Sequence, residues 1–253
     1  MAFRKFDLHV HTPKSACYED HISPEKHLNT QPEDIIKAAL AAGLDAIAIT
    51  DHNTAANIDR LREVGARMGL AVFPGTEITS KAGHVLAIFD RDAQRQDLEH
   101  LIGQLGFKKE QEGDAYFETA VLMDQVCLGI EQMGGVAIAA HIERRPRGFI
   151  ASIEPLRERI RIHSSEHITA LEITVPADKR LWNEGLVPNF PTKHACLTDS
   201  DAHAPWEIGR RFSYIDMAEI NLASIKAALK DYRDRIRFEG EPLTTNGNGA
   251  TPR

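Results

Sequence analysis

Short apolar runs alternate with amphipathic segments along most of this chain. Seven runs read as strands, and apolar positions three and four residues apart predict six helices. Such strand–helix alternation is typical of parallel strands that are joined by right-handed crossovers. The predicted strands lie near residues 6–10, 45–50, 70–74, 84–89, 136–140, 169–175 and 195–199. The predicted helices lie near residues 32–42, 55–68, 93–105, 117–133, 150–162 and 222–232.

This alternation predicts one α/β domain over residues 1–240, in which seven strands form a barrel like a TIM barrel with one unit fewer. An open, doubly wound sheet is the alternative, because periodicity does not report whether a sheet closes. Residues 106–116 interrupt the pattern with polar side chains and predict either a lid or a solvated linker. Residues 241–253 are mostly polar and predict a disordered tail.

Histidines and acidic residues lie where the predicted strands end. The first strand finishes in His-x-His, and residues i and i+2 point to one face of a strand, so His9 and His11 can reach one ion. Strand ends converge at one face of a barrel, and enzymes of that architecture keep their active site there. The candidate metal ligands are His9, His11, His52, Glu77, His84, His141, Asp201 and His203.

The types of these ligands predict two or three divalent ions. Imidazoles and carboxylates together suit zinc, manganese or iron better than calcium or magnesium. Eight candidates are too many for one ion, and two neighbouring ions are the usual clamp for phosphoryl displacement. Within this set we expect Glu77, Asp201 and His203 to act in catalysis.

Several of these positions have other interpretations. Asp51, beside His52, either binds a metal or orients a histidine, as metal-bound imidazoles usually require. Glu77 either bridges two cations or pairs with Lys81 on a surface turn. Taken alone, a His-x-His pair could simply pack in the mouth of a barrel.

Arginines follow two of the candidate ligands. Arg144 and Arg145 come shortly after His141, and Arg210 comes a few residues after His203. A guanidinium can grip a terminal phosphate with two parallel hydrogen bonds, so we predict that these three arginines bind substrate. The alternative is that each belongs to a solvated basic loop.

Net charge, cysteine content and the length of apolar runs argue against several classes of protein. The 253 residues carry a net charge of −7, whereas an extended surface for duplex DNA is usually basic. Cys17, Cys127 and Cys196 are scattered and suggest no disulfide framework, which suits a reducing cytoplasm. We see no apolar run long enough for a membrane span and no secretory signal, so we expect a cytoplasmic protein.

Six short motifs follow one another along the chain: FDLHVHT at 6–12, ITDHN at 49–53, PGTE at 74–77, GHVL at 83–86, AH at 140–141 and SDAH at 200–203. In this order they resemble the motifs of the PHP family, the polymerase and histidinol phosphatase superfamily. The resemblance extends from residue 3 to about residue 238. It implies a distorted seven-stranded barrel with a metal site at the carboxyl ends of its strands, and phosphoesterase chemistry through a metal-activated hydroxide.

The same resemblance implies how the ligands are shared among ions. The family has one more ligand, usually Asp, Glu or His, in the loop after His-x-His. Cys17 aligns best with that position here, and Glu19, Asp20 or His21 could take the role instead. The implied sets are His9, His11, Glu77 and Asp201 for one ion, His52 and His203 for a second, and Glu77, His84 and His141 for a third.

The predicted activity is hydrolysis of a phosphomonoester or phosphodiester, such as a nucleotide, an oligonucleotide end or a sugar phosphate. One alternative is a metal-dependent amide or lactone hydrolase. The other is a non-catalytic or regulatory PHP module that works with a separate polymerase or SMC-like ATPase, since the chain contains no GxxxxGK[ST] loop. The retention of nearly all the ligands favours catalysis.

Overall fold

The structure is a computed structural model, and it describes residues 2–18, 29–145 and 148–244. Within these ranges the chain alternates strands with helices, as the sequence predicts. The strands are β1 (Ala2–Val10), β2 (Ala46–Ile49), β3 (Ala71–Ser80), β4 (Gly83–Ile88), β5 (Val136–Ala139), β6 (Ala170–Glu172), β7 (Ala195–Leu197), β8 (Ser213–Met217) and β9 (Ile236–Arg237). The helices are α1 (Pro32–Ala41), α2 (Ile58–Met68), α3 (Arg95–Gln104), α4 (Met123–Gln132), α5 (Leu156–His163), α6 (Lys179–Asn183), α7 (Leu222–Lys230) and α8 (Tyr232–Arg235).

The strands form one sheet in the order β7-β6-β5-β4-β3-β2-β1-β8-β9. The chain that leaves β7 returns to β1, where Val10 and Ala202 form a parallel bridge. His11 N donates to Ala202 O at 2.9 Å, and Leu8 N donates to Asp199 Oδ1 at 2.7 Å. These contacts bring strands β1–β7 into a nearly closed barrel, with β8 and β9 extending the sheet beyond β1.

All seven predicted strands are present, but the described chain has nine, so the predicted count is too low. β8 pairs antiparallel with β1, and β9 pairs antiparallel with β8. The all-parallel expectation also fails at β4, which is antiparallel to both β3 and β5. The reason is local: only Lys81 and Ala82 separate β3 from β4, and so short a link allows a hairpin but no crossover.

Small and large side chains alternate along β2, so its two faces pack against different parts of the molecule. Ile47 and Ile49 pack in a cluster with α1 and α2, whereas Ala46 and Ala48 belong to the larger core of the molecule. Among the described residues, no helix is long and apolar enough to cross a membrane. The predicted tail lies outside the described residues from position 245 onward.

β1 carries a bulge between Asp7 and Val10, in the stretch that contains His9. Its register advances from Asp7 opposite Ile47 to Val10 opposite Ile49, so three steps along β1 match two along β2. A bulge interrupts the simple alternation of faces and re-aims the side chains that follow it. Asp7 accepts hydrogen bonds from Ser200 N at 3.0 Å and does not join the histidine cluster.

Candidate metal centre

The eight predicted ligands come together at one end of the barrel. Most follow the carboxyl ends of β1, β2, β5 and β7, and Glu77 lies within β3. His84 instead lies near the start of β4. Because β4 runs antiparallel, its first residues lie at the end of the barrel where the neighbouring strands finish.

Four ligand atoms surround one point. His9 Nε2 lies 3.0 Å from His11 Nε2, 3.2 Å from Glu77 Oε2 and 3.2 Å from Asp201 Oδ1. His11 Nε2 lies 3.3 Å from Glu77 Oε2 and 3.2 Å from Asp201 Oδ1. Tetrahedral ligands that bind an ion at about 2.1 Å lie about 3.4 Å from one another. The four atoms therefore have nearly the spacing that a divalent cation requires.

Neighbouring side chains turn both imidazoles toward that point. His9 Nδ1–H donates to Glu172 Oε2 at 2.9 Å, which leaves the lone pair on its Nε2. His11 Nδ1–H donates to Ser15 Oγ at 2.9 Å, and Ser15 Oγ donates to Asp51 Oδ1 at 2.8 Å. Of the two interpretations of Asp51, the structure supports the orienting one, because its carboxylate holds Ser15 and lies outside the ligand groups.

Glu77 joins this group to the other imidazoles. Its Oε2 lies 2.9 Å from His52 Nδ1, while its Oε1 lies 2.8 Å from His84 Nδ1 and 3.0 Å from His141 Nε2. The two carboxylate oxygens thus face different sets of histidines, as a bridging ligand does. Lys81 does not compete for Glu77, since it pairs with Glu154 at 3.5 Å.

A further group consists of His11, His52 and His203, whose ligand atoms lie within 4.8 Å of one another. Cys17 Sγ lies 3.2 Å from His203 Nε2, beside this group. The candidate Cys17 therefore contacts His203 but belongs to none of the ligand groups of the described residues. The candidate Asp20 lies outside the described residues.

Burial and charge set the protonation of the ligands. Burial alone would raise the pKa of Glu77 and of Asp201, but the surrounding imidazoles hold both pKa values well below the usual range. Burial lowers the pKa of His52 to about 4 and that of His203 to about 3. The carboxylates are therefore anionic and these two imidazoles neutral, which is the state that binds metal ions.

Unsatisfied buried atoms show that the residues fit a cation. Glu77 Oε2, Asp201 Oδ1 and His52 Nδ1 are buried and have no hydrogen-bond partner among the described residues. Buried polar atoms are rarely left in that state, because each loses its hydration without compensation. Divalent cations bound by the adjacent ligand groups would satisfy these atoms, so the donor set suits them.

Two ligand residues have strained backbones. His141 has φ = 28° and Asp201 has φ = 51°, a region that side chains other than glycine seldom adopt. His141 N is held by a hydrogen bond to Glu172 Oε2 at 3.0 Å. Strain of this kind persists only where the surrounding structure enforces it, and it aims both side chains into the centre.

The three candidate arginines have different surroundings. Arg144 contacts the carboxylate of Asp201 and is partly exposed. Arg210 Nε donates to Ser200 O at 3.1 Å, so it braces the segment that carries Asp201. Arg145 is exposed. Arg144 is therefore the one of the three that the structure brings into contact with a ligand.

Residues 106–116 dock against the rim of the centre. Gly113 N donates to His52 O at 2.8 Å, and Gly113 O accepts from Ala16 N at 2.8 Å. Gly113 has φ = +81°, and a Cβ atom there would lie 2.2 Å from Lys14 O, so the contact requires glycine. This segment therefore ties the loop after β1 to the loop after β2.

The sequence patterns did not identify Glu172 as part of this centre. It ends β6, is fully buried, and holds both the His9 ring and the His141 backbone through one oxygen. An acidic residue inside the apolar run Ala170-Leu171-Glu172-Ile173 was the available signal.

Replacing Glu172 with glutamine is expected to weaken metal binding about 10–100-fold, as losing the carboxylate behind a metal-bound imidazole typically does. Competitive zinc titration measures this change. Glu166→Gln, on the exposed loop before β6, is the matched control. An unchanged affinity in Glu172→Gln would show that His9 needs no carboxylate behind it.

Comparison with known proteins agrees with this geometry. The family model described as "PHP domain" matches residues 7–146 of the chain. An uncharacterized protein of Methanocaldococcus jannaschii is 31% identical over 85 residues, which are 34% of this chain and 50% of that protein. The chain thus spans about half the length of the curated relative that it matches.

Two solved structures share the fold. A crystal structure of endonuclease Q, in complex with a 27-mer duplex carrying an abasic lesion, has a TM-score of 0.66 at 17% identity, covering 90% of this chain and 57% of that one. A Bifidobacterium adolescentis protein, provisionally assigned as a metal-dependent phosphoesterase, has a TM-score of 0.55 at 20% identity, covering 89% and 95%. With more than half of its length matched by the family model, this chain belongs to the PHP domain family.

Proposed function

We propose that this protein is a metal-dependent phosphoesterase that hydrolyses phosphomonoesters or phosphodiesters. The observation that carries the proposal is the set of four buried ligand atoms, 3.0–3.3 Å apart, on His9, His11, Glu77 and Asp201. Glu77 links this set to further histidines, which is why we propose two or three ions rather than one. Zinc, manganese and iron suit these ligands best.

The residues of the proposed metal centre have different roles. Divalent cations at such a site supply an activated water and neutralise charge on the phosphoryl group. Glu77 holds adjacent ligand groups at a fixed separation through its two oxygens. Asp201, which is anionic and has a strained backbone, completes the group of four ligand atoms with His9, His11 and Glu77.

The more exposed side chains of the site indicate where a substrate would bind. The side chain of His203 is 19% exposed, whereas those of His9, His52 and His84 are 5% exposed or less. Arg144, which contacts Asp201, has a side chain 39% exposed, and its guanidinium can bind a phosphate from that side. We therefore place the substrate's phosphate between Arg144 and His203.

A nucleotide, an oligonucleotide end or a sugar phosphate fits this proposal. The fold shared with endonuclease Q, whose structure holds a DNA duplex, supports a nucleic-acid end among these substrates. A separate polymerase or ATPase partner is the non-catalytic alternative, and a metal-dependent amide or lactone hydrolase is the catalytic one.

The test combines elemental analysis with hydrolysis assays. Purified protein is analysed for bound manganese, iron and zinc, and is assayed on p-nitrophenyl phosphate, bis(p-nitrophenyl) phosphate and a p-nitroanilide amide. Two or three equivalents of metal, with turnover of an ester that chelation abolishes, would support the proposal. Turnover of the amide alone would identify the other hydrolase class. Metal without any turnover would favour a module that serves a partner, and no metal after reconstitution would overturn the proposal.

A further inference from the structure

We propose that the leaving group of the substrate is a sugar, and that Glu154 and Lys81 recognise its hydroxyl groups in a cavity beside the metal centre. The inference rests on the proposed phosphoesterase function. It deepens that function by choosing one class of leaving group and naming the residues that select it. The shared chemistry is a ring with several hydroxyls, which occurs both in sugar phosphates and in the ribose of nucleotides.

A cavity of about 280 Å³ adjoins the metal centre on the side of His84. The turn between β3 and β4 forms one wall, and residues 148–154 form much of the other. His84 belongs to both sites, because it lines the cavity and its Nδ1 lies 2.8 Å from Glu77 Oε1. The leaving group of a phosphate ester that is bound at the centre can therefore occupy this cavity.

The loop that carries Arg144 also borders the cavity. Gly148, which lines it, donates its backbone N–H to Arg144 O at 2.7 Å. A Cβ atom on Gly148 would lie 2.5 Å from Arg144 O, so the close approach requires glycine. Ile150 N donates to Ile142 O at 3.0 Å, which fixes the wall against the end of β5. The proposed phosphate position beside Arg144 and the cavity thus share one loop.

Glu154 and Lys81 belong to opposite walls of the cavity. The side chain of Glu154 is only 12% exposed, and among the described residues its carboxylate has one ion-pair contact, with Lys81 Nζ at 3.5 Å. A charge-assisted hydrogen bond between such groups is about 2.7–2.9 Å long. The two groups are therefore paired too loosely to use their full hydrogen-bonding capacity, and both can bind a ligand.

A hydroxyl group is the ligand that suits this pair. It both donates and accepts hydrogen bonds, so it can donate to the Glu154 carboxylate and accept from the Lys81 ammonium. An ammonium group would only donate and would be repelled by Lys81, whereas a second phosphate would only accept and would be repelled by Glu154. The pair therefore favours an uncharged ligand that carries several hydroxyls.

The volume and the remaining lining of the cavity fit one sugar ring. At about 30 Å³ per water molecule the cavity has room for about nine waters, and a pentose or hexose fills about that space. Ala82 and Ala151 supply apolar surface for the C–H groups of the ring, and the exposed Ile153 lies at the rim. A DNA duplex cannot enter a cavity of this size, whereas a single sugar can.

The test compares substrates with and without hydroxyls. Glucose 6-phosphate and cyclohexylmethyl phosphate both release a primary alcohol attached to a six-membered ring, but the second ring carries no oxygen. Wild type is expected to have the higher kcat/KM on glucose 6-phosphate. Glu154→Gln is expected to lower the ratio of the two kcat/KM values at least about tenfold, because a hydrogen bond to a charged group is lost. Lys81→Met should lower the same ratio.

A second pair of substrates identifies the source of the sugar. Adenosine 5′-monophosphate and its 2′,3′-dideoxy analogue differ only in the ribose hydroxyls. A ratio that falls in Glu154→Gln for this pair alone would identify the ribose of a nucleotide as the sugar. A ratio that falls for the glucose pair alone would identify a free sugar phosphate.

Glu99→Gln is the matched control, since Glu99 is an exposed residue of α3 that pairs with Arg95 at 3.4 Å. It should leave both ratios unchanged, and thermal unfolding shows that each variant is folded. A wild-type protein that hydrolyses p-nitrophenyl phosphate but prefers the hydroxylated member of neither pair would overturn this inference while leaving the phosphoesterase proposal intact. A preference that survives in folded Glu154→Gln and Lys81→Met would do the same. A protein that hydrolyses no phosphate ester would overturn both.

Discussion

Replacing Glu77 with glutamine is expected to lower kcat/KM for ester hydrolysis by about a thousandfold or more. The loss of a carboxylate that only supports a metal-bound histidine costs about 10–100-fold, and Glu77 faces the ion positions directly. Its Oε2 lies within 3.3 Å of ring nitrogens of three histidines, and its Oε1 lies within 3.0 Å of two more. An amide supplies one neutral oxygen in place of two charged ones, so both bound metal and turnover should fall.

The measurement pairs steady-state kinetics with elemental analysis of the same preparation. Glu63→Gln is the control, because Glu63 is an exposed residue of α2 that pairs with Arg60. Thermal unfolding of both variants shows whether the barrel remains folded. Full activity of a folded Glu77→Gln protein would contradict the assignment of Glu77 as the bridging ligand.

Replacing His163 with leucine is expected to make the protein more resistant to acid. His163 is buried on α5 between aromatic rings, and neither of its ring nitrogens has a hydrogen-bond partner among the described residues. Phe190 lies 5.1 Å away and Trp182 lies 5.7 Å away between ring centroids. Burial, with a smaller effect from the nearby His194, lowers the pKa of His163 to about 3.

The lowered pKa of His163 makes the folded protein less stable as pH falls. The unfolded chain binds a proton at His163 below pH 6.5, whereas the folded protein does not until about pH 3. As pH falls between those values, the free energy of unfolding of the wild-type protein decreases by up to about 1.4 kcal/mol for each pH unit. The leucine variant lacks this loss, so its stability relative to wild type should rise by about 2 kcal/mol between pH 6 and pH 4.

Denaturant unfolding of metal-depleted protein at pH 4, 5, 6 and 7 measures this difference, because all the histidines of the candidate metal centre are present in both proteins. His100→Leu, an exposed histidine on α3, is the control and should show no such gain. If the difference in free energy of unfolding between wild type and His163→Leu does not change with pH, the buried histidine does not oppose folding in acid.

The sequence was sufficient to find the candidate ligands because their signal is local. A histidine or acid at the end of an apolar strand or shortly after it is visible without knowing the fold, as at His11, His141 and Asp201. Parallel strands share one direction, so their ends converge once the barrel forms. Eight separate positions could therefore be predicted to meet, and the structure brings them together.

The supporting residues depended on contacts between distant parts of the chain. Glu172 is 163 positions from His9, and nothing near it in sequence shows that the two touch. Arg210, which the sequence suggested as a phosphate ligand, bonds the carbonyl of Ser200, since a loop brings that oxygen within reach. Cys17 meets His203 across 186 positions for the same kind of reason.

The sequence by itself determined the α/β class, the location of seven of the strands and the candidate ligand residues, because each follows from periodicity and residue type over short stretches. The tertiary structure decided the reversed direction of β4, the added strands β8 and β9, and the division of the ligands around Glu77. These features depend on pairing and packing between segments far apart in the chain. Local patterns specify what each segment can form, whereas only the folded chain specifies which side chains share one point in space.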